Sequence, residues 1–184
     1  MPPNAIKTVK DTIYWQYAKL ISKSAGMGIN ARAFQMSCFQ KLKKDEMKWS
    51  STIREWIREH EKPNECIYCG SGENLTTEHI LPRVCRGPDI PDNAIKACKN
   101  CNSKKGGKRL YEWFGYDKKD KIPRIAEGKY LKLLCTLHEK NGTLDITENE
   151  LKKLCAKCNM KESCIKVGKE GELNIFCLEG CFCR

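Results

Sequence analysis

Apolar residues recur at helical spacing in both flanks of the chain and gather into short extended runs between them. Ile6, Val9, Ile13, Tyr17, Leu20 and Ile21 share one helical face, with Lys7, Lys10, Lys19 and Lys23 among the polar positions. Gly26 and Gly28 end that stripe. A second helix is predicted around Phe34, Cys38, Phe39 and Leu42. A third begins near Thr52, with Glu55 in capping-box position, runs through Ile53, Trp56, Ile57 and His60, and stops at Pro63.

The pattern changes after Pro63. Leu75 to Leu81 has strand character and follows the turn-rich Gly70-Ser71-Gly72-Glu73-Asn74. Arg83 to Asp92 contains Gly87, Pro88 and Pro91 and is predicted as loop; Ala94 to Ala97 is a short return strand. A helix then opens near Cys98 and reaches Gly106-Gly107, with Leu110, Tyr111, Trp113 and Phe114 packing beyond it. Asp117 to Lys121 is an exposed linker. Tyr130, Leu131, Leu133, Leu134 and Leu137 mark a helix ending at Asn141-Gly142, and Thr147 with Glu150 caps another that leads into Cys155. A hairpin is predicted through Ile165–Val167 and Leu173–Phe176. The fold class is therefore α+β, in three regions: helical residues 1–62, a strand–loop–strand–helix core at 63–115, and a helical, cysteine-rich region at 116–184.

Composition narrows the partners. None of the apolar runs among the 184 residues is long enough to span a bilayer, and the amino terminus lacks a secretory pattern, so a soluble cytoplasmic protein with no membrane partner is expected. Thirteen cysteines, an odd number, argue against a complete disulfide framework, and paired C-x-x-C spacings argue for metal. The formal net charge is +11. A four-thiolate zinc site contributes −2, so two such sites would still leave about +7. That excess suits a polyanion, most simply nucleic acid. Residues 1–62 hold twelve Lys/Arg against six Asp/Glu, consistent either with a solvated packing domain or with a surface that grips DNA.

Cys66-x-x-Cys69 and Cys98-x-x-Cys101 are separated by 28 residues. Four thiolates on two such knuckles make a closed tetrahedral zinc site; the alternative is four buried thiols. The carboxy-terminal cysteines admit a second zinc held by Cys155, Cys158, Cys177 and Cys181, which leaves Cys164 and Cys183 unused. An iron–sulfur cluster is the other option there, although no tight C-x-x-C-x-x-C run is present. Cys38, Cys85 and Cys135 have no visible partners.

The insert between the first two knuckles has the parts for phosphodiester hydrolysis, which needs a deprotonated water on one side of phosphorus and a cation on the other. Adjacent strand residues point to opposite faces, so Glu78 and His79 can serve opposite sides of one phosphate. Asn102 can join Glu78 as an oxygen ligand for a hard divalent cation, and His79 can be the base.

Glu78-His79-Ile80-Leu81-Pro82, Asn93 and Cys101-Asn102-Ser103-Lys104-Lys105-Gly106 resemble the motif of the HNH (ββα-metal) endonucleases in their zinc-binding form. The resemblance implies a catalytic group of His79, Glu78, Asn93 and Asn102. Glu78 and Asn102 would hold Mg2+ or Mn2+, His79 would activate water, and Asn93 would tether the connecting loop. It also implies phosphate contacts from Arg83, Lys104 and Lys105. Two departures stand out: Glu precedes the histidine where Asp is more usual, and the last position is Asn instead of His. The function implied is DNA endonuclease, leaving 5′-phosphate and 3′-hydroxyl ends, in restriction or defence, a mobile element or phage DNA processing. One motif per chain nicks; a double-strand break would need a homodimer or two visits. The rivals are a non-catalytic zinc-dependent nucleic-acid-binding protein on the same scaffold, and an RNA-cleaving toxin.

Overall fold

A computed structural model describes residues 4–27, 30–48 and 64–180. The helix expected from Thr52, with His60, lies outside them. The chain divides into two compact units, Met1–Ile53 with Leu134–Arg184, and Arg54–Leu133. The three-way sequence division places a boundary after 115, whereas residues 116–133 group with the second unit.

In the first unit, α1 (Val9–Ser24) starts where the Thr8 hydroxyl accepts a hydrogen bond from the Asp11 backbone N–H at 3.1 Å. Asp11 returns the favour by accepting from the Lys7 N–H at 3.0 Å and pairing with Lys43 at 2.8 Å. α2 (Arg32–Lys43) buries Cys38, Phe39 and Leu42, and Phe39 meets Trp15 of α1 edge to face with ring centroids 6.2 Å apart. The last seven residues of a long helix, Arg124–Lys140, belong to this unit. They carry His138, which is fully buried. A capping box of Thr147 and Glu150 opens the helix Glu148–Cys155.

The predicted hairpin is absent. Lys161–Lys166 is helical, and a four-residue helix covers Cys177–Gly180. Met160 and Cys164 are buried at i, i+4 spacing, a helical and not an alternating pattern. Gly168 and Gly171 take left-handed backbone (φ 64° and 77°), which turns the chain where a strand would have to run straight. Asn174 then bridges the carbonyls of Lys169 and Glu172 through its amide, closing the segment as a loop.

The second unit contains the two-stranded antiparallel sheet of β1 (Leu75–His79) and β2 (Ala94–Cys98), registered so that Glu78 lies opposite Ile95 and His79 opposite Ala94. The helix α3 (Lys99–Lys105) follows β2 directly and completes a ββα unit. Beyond it, α4 (Leu110–Phe114) and a 3-10 turn at Tyr116–Lys121 lead to Arg124. The segment expected as an exposed linker is this turn, and Ile122, which ends it, is buried. The α4 side chain Tyr111 donates to the buried Glu127 carboxylate at 3.0 Å and packs on Tyr130, centroids 5.9 Å apart. Lys129 donates to the Ala94 carbonyl at 3.0 Å and ties this helix to β2. No helix among the described residues is long and apolar enough to cross a membrane.

Candidate active site

The two C-x-x-C turns bring the sulfurs of Cys66, Cys69, Cys98 and Cys101 within 4.8 Å of one another. Cys66 belongs to the knuckle before β1, and Cys98 closes β2 and caps α3, accepting the Cys101 N–H at 3.4 Å. That N–H holds the Cys98 thiol down to about 7, while burial pushes the Cys101 thiol up. Cys69 and Cys98 sulfurs lie 3.7 Å apart. Four soft, convergent sulfurs, with Ala97 and Leu75 packed behind them, fit a structural zinc ion. Zinc there would cross-link a two-stranded sheet too small to be stable alone.

Strand alternation separates the two residues singled out on β1. Thr76 and Glu78 face α3, from which Asn102 donates to the Thr76 hydroxyl at 3.2 Å. His79 emerges on the other face, its side chain one-quarter exposed. Glu78 is 7 % exposed, and its Oε1 accepts the Tyr68 phenol at 2.5 Å and lies 3.5 Å from the Lys105 ammonium. Burial, and then the Glu78 charge, pushes the Tyr68 phenol far up, so Tyr68 remains the donor. Both contacts fall on Oε1. The second Glu78 oxygen and the Asn102 amide oxygen are hard donors of the chemical class a divalent cation takes.

The loop between the strands is pinned by Asn93, which is fully buried. Its Oδ1 accepts from the Leu81 N–H at 2.8 Å, and its amide donates to the carbonyls of Leu81 at 3.0 Å and Pro88 at 2.8 Å. The backbone held is thus Leu81's, two residues beyond His79, with Ile80 N–H to Asn93 O at 2.9 Å adding a fourth tie. Gly87 is required by close approach, since a β-carbon there would lie 1.8 Å from the Leu81 carbonyl oxygen.

Lys105 differs from expectation. It is 1 % exposed, with its ammonium on the His79 carbonyl at 3.2 Å and beside Glu78, not on the surface where a phosphate contact would need it. A lysine can be buried only when paired, and here Glu78 supplies the partner. Arg83 and Lys104 do lie at the surface. Sequence reasoning missed two further residues. Asp89, from the loop, has its Oδ1 3.1 Å from His79 Nε2 and its Oδ2 3.8 Å from Arg83. An exposed acid in a loop carries no distinguishing sequence signal. Tyr68 had one: an aromatic inside a zinc knuckle, ten residues before the acid that it contacts.

Of the other predicted metal ligands, Cys155, Cys158 and Cys177 line one cavity in the first unit, and Cys181 lies outside the described residues. Among the described residues, only the Cys66 quartet gathers its ligand atoms within 4.8 Å.

No curated protein and no solved structure gives a significant match to this chain. The family model described as HNH endonuclease matches residues 66–111. That span runs from the first zinc knuckle to Tyr111 of α4 and takes in both strands, α3 and every residue of the group around Glu78 and His79. Residues 66–111 are accordingly similar to the HNH endonuclease family model, and they fold as a ββα core with a four-cysteine cluster suited to zinc.

Proposed function

We propose that the chain is a divalent-cation-dependent DNA endonuclease, with His79 as the base that activates water and Glu78 and Asn102 as the cation ligands. The observation that carries this is the division of labour on β1: Glu78 turned inward to Lys105 of α3, His79 turned outward to solvent. A phosphodiester lying across the end of the strand can meet both at once.

His79 Nε2 is engaged by Asp89, so its proton sits on Nε2 and the lone pair is on Nδ1. Nδ1 takes the proton of a water aligned with phosphorus, and Asp89 balances the imidazolium that results. Glu78 and Asn102 would hold a divalent cation, which would supply positive charge near the phosphorus and the departing oxygen. Tyr68 and Lys105 fix one Glu78 oxygen so that the other keeps a single direction. Asn93 acts through the backbone and is a positioning residue, as is Lys105. Arg83 and Lys104, both at the surface, would hold phosphates near the scissile bond, a salt-sensitive grip. The products are 5′-phosphate and 3′-hydroxyl ends. One such centre per chain nicks one strand, and a double-strand break takes a second copy or a second visit. Restriction or defence is the setting we favour over homing or phage DNA processing.

Incubation of supercoiled plasmid with Mg2+ or Mn2+ tests the proposal. Open-circle product that disappears with chelator and with Glu78→Gln is expected. A non-catalytic DNA-binding protein would shift the plasmid in gels and leave it intact under every condition.

A further inference from the structure

We propose that Cys155, Cys158, Cys164 and Cys177 form a second thiolate metal centre, taking either a zinc ion or an iron–sulfur cluster. All four line one cavity of about 430 Å³ in the first unit. Cys155 ends the helix Glu148–Cys155, Cys158 sits in the turn after it, Cys164 is on the helix Lys161–Lys166, and Cys177 opens the last short helix. Three stretches of backbone converge on this space: the Cys155–Cys158 turn contributes two cysteines, and the helices with Cys164 and Cys177 one each.

The backbone is arranged around these sulfurs. The Met160 N–H points at Cys158 Sγ at 3.4 Å and the Asn174 N–H at Cys177 Sγ at 3.5 Å, while the Asn174 side chain reaches Cys164 Sγ at 3.7 Å. Such N–H donors stabilise thiolates and recur around metal-bound sulfur. Gly180 leaves room for the same cluster, because a β-carbon at that position would lie 2.5 Å from Cys158 Sγ.

Charge and size agree. Lys153, Lys157, Lys161 and Lys169 line the cavity against Glu170 and Glu172, an excess of two positive charges. Four thiolates around one zinc carry a net −2, which that excess offsets. The helices that carry these cysteines are eight, six and four residues long, below the length at which a helix is stable without external support. No strand occurs in this segment either, so a metal cross-link is the kind of staple it needs.

The sulfurs ring the cavity without meeting as closely as those of the Cys66 quartet. A polynuclear iron–sulfur core accepts that spread, whereas a single zinc draws each sulfur in to about 2.3 Å from the metal. Among the described residues it is Cys164 that joins Cys155, Cys158 and Cys177 at the cavity; Cys181 lies outside them.

The test is metal analysis of the full chain purified without oxygen. Either about two zinc ions per chain, or one zinc with iron and acid-labile sulfide, supports the centre. One zinc without iron overturns it. Cys164→Ser should lose the second metal and keep the first zinc, and Cys181→Ser should keep both; the reverse outcome removes Cys164 from the ligand set. Should Cys164→Ser not fold, alkylation of the unmodified chain answers the same question. Labelling of Cys155, Cys158, Cys164 and Cys177 should rise sharply on metal removal by a chelator, and unchanged labelling contradicts the proposal.

Discussion

Tyr68 donates a 2.5 Å hydrogen bond to Glu78, and Tyr68 sits inside the zinc knuckle between Cys66 and Cys69. The four-cysteine cluster and Glu78 of β1 are therefore mechanically joined. Edge-to-face packing of Tyr68 on Trp113, centroids 4.9 Å apart, extends the joint to α4. Tyr68→Phe keeps that packing and removes only the phenol hydroxyl. It should weaken divalent-cation activation of cleavage about 10- to 100-fold, as loss of a partner behind a metal ligand does. Zinc content should be unchanged. Cleavage titrated against Mg2+ or Mn2+, with zinc measured on the same sample, checks both parts.

The loop around Asn93 should behave as one unit. Asn93→Ala strands the Leu81 N–H and frees two carbonyls in a buried place, at a cost of about 3 kcal/mol. Gly87→Ala forces the Leu81 carbonyl to move and should be comparably destabilising. Urea unfolding followed by tryptophan fluorescence measures each. Because the two changes strain the same backbone at Leu81, the double variant should lose less than the sum.

In the proposed mechanism Asp89, 3.1 Å from His79 Nε2, gives His79 its tautomer and a counter-charge. Asp89→Asn retains the shape and exposes less negative charge to DNA. A roughly tenfold drop in the single-turnover rate is expected, with binding equal or tighter. Unchanged rates would assign Asp89 to the loop alone.

His138 provides a pH signature for the first unit. Its Nε2–H donates to the Leu178 carbonyl at 3.0 Å and its Nδ1 meets the Thr143 hydroxyl at 2.7 Å. Burial pushes its pKa down to about 4 from a usual value near 6.5. The unfolded chain therefore binds a proton that the folded one refuses between those limits. Stability from this residue is full above pH 6.5 and falls as pH drops towards 4, by about 3 kcal/mol in all. His138→Gln should flatten that part of a thermal-melt profile measured against pH, and an unaltered slope would contradict the assignment.

Much of the site was legible because its chemistry is local in sequence. The C-x-x-C pairs, the Leu75–His79 alternation and the Cys98 helix start each need only a few neighbouring residues, and all appear where expected. What escaped depends on distance. The Asp89–His79 contact and the burial of Lys105 against Glu78 arise only when the loop and α3 fold back on β1. The missed helix at Lys161–Lys166 has a different cause. Ile165 and Val167 are β-branched, but the buried positions are Met160 and Cys164, so burial at helical spacing outweighed strand propensity.

The proposed hydrolysis requires His79 to take the proton from water. Single-turnover cleavage of a labelled duplex by His79→Ala, with binding of the same duplex measured in parallel, tests this directly. Cleavage should fall by at least about a hundredfold while binding stays within about twofold. Cleavage by the variant at the unmodified rate would show that this imidazole is not the base.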